Sequence, residues 1–147
     1  MSLQNLLKIG RLTEHETDGA QVVRMFAAAE RGIADARQSS ISPETRLDAA
    51  YRSIMQLAMV ALWANGFRPV KNAPGHHQIM IQSLVHTVNL DSQRMRVLDT
   101  FRVKRNAIDY TGVDVDTASV EACIGSAAQL LAVVHGWLDK NRPDLLG

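Results

Sequence analysis

The feature that most constrains this chain is a helical phase that runs almost from end to end, most plainly between Ser42 and Pro69. Ser42 suits an N-cap, Pro43 fits the first helical position, and Glu44 favours the positive end of a helix. Leu47, Ala50, Tyr51, Ile54, Leu57, Ala58, Ala61 and Leu62 then keep a spacing of three and four, which places them on one apolar face. Gly66 provides a left-handed cap and Pro69 forbids continuation. A segment with that start, stripe and stop predicts a long core helix, with Tyr51 and Trp63 as core residues.

The same reading gives the remaining elements. Leu3, Leu6 and Leu7 predict a short N-terminal turn or helix, and Glu14–Gly19 a polar link. A first long helix spans about Ala20 to Arg37, a third about Gly75 to Val88, and a fourth about Ser92 to Tyr110. Thr111–Val115 breaks the phase, and a last helix runs from near Asp116 to about Lys140, closed by Pro143. No alternating strand pattern or internal repeat is visible. Five helices with short connections predict an all-α fold, an antiparallel up-and-down bundle of four or five helices in one domain, 1–147.

The fourth helix carries a misfit. Leu98, Phe101, Arg105 and Ile108 fall on one stripe, and an arginine in such a stripe needs an acidic partner or an anionic ligand because it cannot shed its charge. Asp109 lies one turn further on and offers a partner. Arg102, Asn106 and Tyr110 share the region, so the five polar side chains cover roughly 140° of helix surface at about 100° per residue. Two assignments stay open. Arg105–Asp109 is an ion pair propped by Asn106, or Arg102, Arg105 and Asn106 build a small anion or RNA-phosphate site. Arg94, Arg96 and Lys104 add a local basic patch, which suits either a phosphate backbone or a solvated face.

Other chemistry is sparse. The net charge of +1 gives no global case for nucleic acid or membrane, and aromatics at 5% offer few stacking platforms. His76 and His77 are adjacent, so they diverge by about 100° rather than sharing the i,i+4 face that a helical metal pair needs. They are expected to fix the loop-to-helix junction or to line a pocket. His135 is expected to pack. Cys123 is alone in an apolar helix and reads as a buried, inert thiol. No phosphate loop, dinucleotide fingerprint or nucleophile elbow occurs, and neither a metal nor a cofactor is called for. The start, MSLQNLLKIGRL, is too short and interrupted for a secretory signal or a membrane span, so the expected setting is cytoplasmic and away from membranes.

Arg105-Asn106 followed by Tyr110 resembles the HEPN superfamily of helical-bundle domains, whose signature is an Arg, often followed by Asn, with a His four to six residues after the Arg. The run SPETRLDAAYRSIMQLAMVAL, then GFRP, then GHHQIMIQSL, is similar to one uncharacterised bacterial branch. That branch also shows the arrangement seen here as Arg102, Arg105, Asn106, Asp109 and Tyr110. The resemblance covers about Ser42–Tyr110 and the terminal helices only in general pattern. It implies a four- or five-helix bundle that dimerises. It also implies metal-independent ribonuclease chemistry in toxin–antitoxin, abortive-infection or CRISPR systems, or a pairing with a minimal nucleotidyltransferase that acts as antitoxin.

The chain departs where the signature calls for His and holds Tyr110. Histidine titrates near neutrality, whereas tyrosine is a poor base at pH 7. The expectation is therefore a HEPN-like module that binds a nucleotide, an RNA phosphate or a protein partner. Arg102, Asn106, Asp109, His76 and His77 are its candidate binding residues. The first alternative is an endoribonuclease toxin with Arg105 and Tyr110 as catalytic residues and Tyr110 or His76/His77 handling protons. The second is an interaction protein in which Arg105 and Asp109 only order a homodimer interface.

Overall fold

The computed structural model describes residues 2–147 and is mostly helical. Its elements are α1 (Leu3–Lys8), β1 (Leu12–Glu14), α2 (Gly19–Ala36), α3 (Pro43–Ala64), β2 (Phe67–Pro69), α4 (His76–Thr87), α5 (Ser92–Thr111) and α6 (Thr117–Asn141). A single 3-10 turn, Pro143–Leu146, follows. The four later helices fall within a residue or so of their expected limits because their ends are written locally. Ser42 Oγ accepts from Thr45 N–H, Asp91 from Arg94 N–H, and Asp116 from Ser119 N–H. Gly66 and Gly112 end α3 and α5 at φ +87° and +68°, a region that costs glycine little.

α3 is the hub. It packs against α2, α4, α5 and α6, and its Leu47, Ile54, Leu57, Val60 and Leu62 are fully enclosed. The approach of α2 is close at Gly32, where an added Cβ would collide with Ser53 Oγ and sit 3.3 Å from Ala49 O. Ser53 Oγ in turn donates to Ala29 O at 2.8 Å. α6 closes the opposite side with Val120, Ile124, Ala127, Leu130, Val134 and Leu138. By length and composition α6 would also span a membrane (mean hydropathy 1.5), but its apolar stripe is part of this core.

One arginine is built into the frame. Arg46, 9% exposed, donates Nε to the carbonyl of Ala36 at 2.7 Å and Nη2 to Glu121 at 2.9 Å. It thereby satisfies a carbonyl at the end of α2 that has no partner within its own helix and joins α2, α3 and α6.

The all-α expectation needs one correction. β1 and β2 form an antiparallel pair with Leu12 opposite Pro69 and Glu14 opposite Phe67. Three residues per strand are too few to show alternation in a sequence, so nothing local announces them. The pair straps the N-terminal segment onto the loop before α4. Val70 N–H donates to Arg11 O at 3.1 Å and Arg11 Nη1 to Pro74 O at 2.9 Å.

Candidate functional site

α5 delivers Arg105 to the α3–α4 face of the bundle. Leu98 and Phe101 of the stripe are buried, whereas Arg105 is only partly covered. Its Nε donates to Asp48 of α3 at 3.1 Å. The ion pair expected along α5, Arg105–Asp109, is thus replaced by one between helices. The guanidinium also lies over the Tyr51 ring, 5.3 Å from its centre, a cation–π distance.

Tyr51 links this arginine to the histidines. Its ring is 2% exposed, as the stripe of α3 requires. Its hydroxyl, however, reaches His77 Nδ1 at 3.2 Å, and the histidine tautomer decides which of the two donates. His76 packs edge-on against His77 with ring centres 4.5 Å apart. Burial pushes the Tyr51 hydroxyl up to about 12, against the opposing pull of Arg105 and Arg102. The same burial lowers the His77 pKa below its usual value, helped by His76, Arg105 and Arg102. Tyr51 therefore stays protonated and His77 neutral at pH 7.

These groups surround an open cleft of about 210 Å³, lined by Asp48, Tyr51, Arg52, Met55, His77 and Arg105. The arginines differ in what they have left to offer. Arg102 spends Nε and Nη2 on Asp99, at 2.7 and 3.2 Å. Arg142 spends all three nitrogens on Asp144 and the carbonyl of Ala64. Arg105 uses only Nε, which leaves both terminal amino groups unengaged among the described residues. Arg52, exposed at the cleft rim, has no ion-pair partner among them. Two planar forks with free N–H groups, beside a neutral imidazole, can hold a phosphate or carboxylate in bidentate fashion.

A search of protein-family models, curated proteins and solved structures finds no match to this chain. The site therefore stands on its own geometry.

The structure brings together Arg105, His77 and, behind it, His76. It does not bring in the other sequence candidates. Arg102 is tied to Asp99, and Asn106, Asp109 and Tyr110 are exposed on α5. Tyr110 is 85% exposed and is not part of the cleft lining. The basic patch is mostly neutralised, since Arg94 pairs with Asp91 and Lys104 with Asp116 and Ser119. Sequence reasoning missed Asp48 and Arg52 and assigned Tyr51 to the core alone. The signal was present: Asp48, Tyr51, Arg52 and Met55 sit at i, i+3, i+4 and i+7, one face of α3.

The remaining reactive groups lie elsewhere. Cys123 is fully enclosed and burial pushes its thiol up to about 12, which makes it a poor nucleophile. His135 packs edge-on against Phe26, and His15 stacks on Trp63. Among the described residues, no group of three or more His, Cys, Asp or Glu is arranged to hold a metal ion.

Proposed function

We propose that the chain is a HEPN-like module, an up-and-down antiparallel bundle that binds the phosphate of a nucleotide or RNA at the Arg105 cleft. The observation that carries this is the guanidinium of Arg105, held by a single hydrogen bond that its Nε donates to Asp48, with its two amino groups unengaged among the described residues beside a cleft that also holds Arg52 and His77. Arg102, by comparison, spends Nε and Nη2 on the single carboxylate of Asp99. The proposed setting is a cytoplasmic toxin–antitoxin or stress-defence system. There the module works as a homodimer, with a nucleotidyltransferase-type partner.

Calorimetric titration with inorganic phosphate and with AMP tests the binding role. Charge-assisted hydrogen bonds of about 1.5–3 kcal/mol correspond to a roughly ten- to hundredfold loss of affinity in Arg105→Ala. No binding by the wild type, or equal binding by the mutant, refutes it.

A second reading has a specific support. His77 supplies beside Arg105 the imidazole that the Arg-Asn motif lacks in sequence, and it stays neutral, as a general base must. In metal-independent RNA cleavage, His77 would take the 2′-hydroxyl proton as the 2′-oxygen bonds to phosphorus and the P–O5′ bond breaks, the 5′-oxygen leaving with a proton from water, while Arg105 and Arg52 face the charge developing on the non-bridging phosphate oxygens. Incubation with total RNA in EDTA then gives cleavage that is lost in Arg105→Ala and in His77→Gln and kept in Tyr110→Phe. An inactive wild type leaves binding as the function.

A further inference from the structure

His77, Arg52 and Met55 also form one wall of a second, larger cleft of about 390 Å³, a size within the roughly 300–1,000 Å³ of small-molecule sites. Four of the six methionines, Met25, Met55, Met59 and Met80, line it together with Pro69. Met55 and Met80 are buried and make the floor, and Met25 and Met59 are half-exposed and make the sides. The polar lining consists of Arg52, Lys71, His76 and His77 with the amides of Gln56 and Asn72, and contains no acid. Neither Arg52 nor Lys71 has an ion-pair partner among the described residues.

We propose that this cleft binds a small amphiphile, an aliphatic chain with one anionic head, the chain lying on the four methionines and the head at Arg52 and Lys71. Methionine is flexible and polarizable, so a floor of thioethers moulds to a chain of changing conformation. A nucleobase would call for a flat aromatic platform. The only aromatic rings in the lining are His76 and His77, already packed edge-on against each other. A cationic ligand is opposed by a rim with two unpaired cations and no carboxylate. The wall that carries Lys71 is held in place, since Asn72 takes the left-handed turn (φ +64°) and Arg11 pins Pro74 from across the strap. The two clefts share Arg52, Met55 and His77, but Lys71 and the other three methionines belong to this one alone, as Arg105 and Asp48 belong to the other.

The test is a titration of the full chain with decanoate below its micellar concentration, followed by NMR of methionine ε-methyl groups. Octyl phosphate, decyltrimethylammonium and AMP serve as comparison ligands. The expected result is saturable shifts at Met25, Met55, Met59 and Met80, with Met95 on α5 unmoved. Decanoate affinity should fall at least tenfold in Lys71→Glu, an exposed substitution that leaves the core intact, and in Met59→Glu, and should stay within twofold in Arg105→Ala. Octyl phosphate binding more tightly than decanoate assigns a phosphate head, and the reverse order a carboxylate head; either supports the proposal. The proposal is overturned if the cationic amphiphile binds as tightly as decanoate, if AMP shifts Met25, Met59 and Met80 as decanoate does, if Met95 shifts equally, or if Lys71→Glu binds like the wild type.

Discussion

Arg46 and Arg105 are both arginines in helical apolar surroundings, and their alanine variants should separate frame from site. Arg105 is 34% and its partner Asp48 52% exposed, so solvent screens the pair to about 0.2–1 kcal/mol. The contact with Tyr51 adds about 0.5–1 kcal/mol, and alanine returns a few tenths through helix propensity. Arg105→Ala should therefore cost about 1 kcal/mol, or a fall in Tm of about 3 °C for a chain of this size. Asp48, left alone, stays hydrated. Arg46→Ala removes a charged donor from the buried end of α2 and a 2.9 Å bond to Glu121. An orphaned carbonyl and the lost charge-assisted bond together cost about 3 kcal/mol, moderated because Glu121 is itself 60% exposed. Urea unfolding followed by circular dichroism reads both. With a slope of about 2 kcal/mol/M, the midpoint should drop by about 0.5 M for Arg105→Ala and about 1.5 M for Arg46→Ala. Equal drops would refute the reasoning and return Arg105 to a purely structural role.

Three further outcomes follow from packing and protonation. Gly32→Ala should destabilise by about 1–2 kcal/mol despite better helix propensity, because the new methyl displaces the Ser53 hydroxyl from Ala29 O; adding Ser53→Ala should recover much of the loss, as a double-mutant cycle in urea would show. Thr87→Val should stabilise by about 1 kcal/mol, since the buried Thr87 hydroxyl has no hydrogen-bond partner, with a higher Tm as the check. The unfolded state releases the Tyr51 proton near pH 10 and the fold only near 12, so stability should fall as pH rises through that window, and Tyr51→Phe should flatten the fall. His77 is held below its unfolded value of about 6.5, so its contribution is complete above that pH and lost as pH drops below it, a trend that His77→Gln should remove.

Helix ends and faces were legible because they are written within a few residues, as in Ser42-Pro43 at the start of α3 and the break in phase at Thr111–Val115 after α5. The stripe of α5 was legible too: Leu98 and Phe101 are buried and Arg105 emerges where the core ends. Periodicity is blind to what another helix presents. Asp109 sits one turn from Arg105 in sequence, yet the partner is Asp48, 57 residues away. The α3 stripe places Tyr51 in the core, and its ring is there, but its hydroxyl depends on a loop-to-helix junction that places His77 26 residues further on. The strands escaped notice because each is only three residues long.

That short strap has a thermodynamic consequence. Three-residue strands at the molecular edge belong to the segments that open first, yet the strap positions Pro69, Lys71 and Asn72 along the methionine cleft. A ligand that needs this wall in place must then raise the opening energy of the strap by RT ln(1 + [L]/Kd). Amide exchange at Thr13 and His15, whose N–H groups face β2 and which lie outside the cleft lining, becomes a remote gauge of whether the cleft is filled.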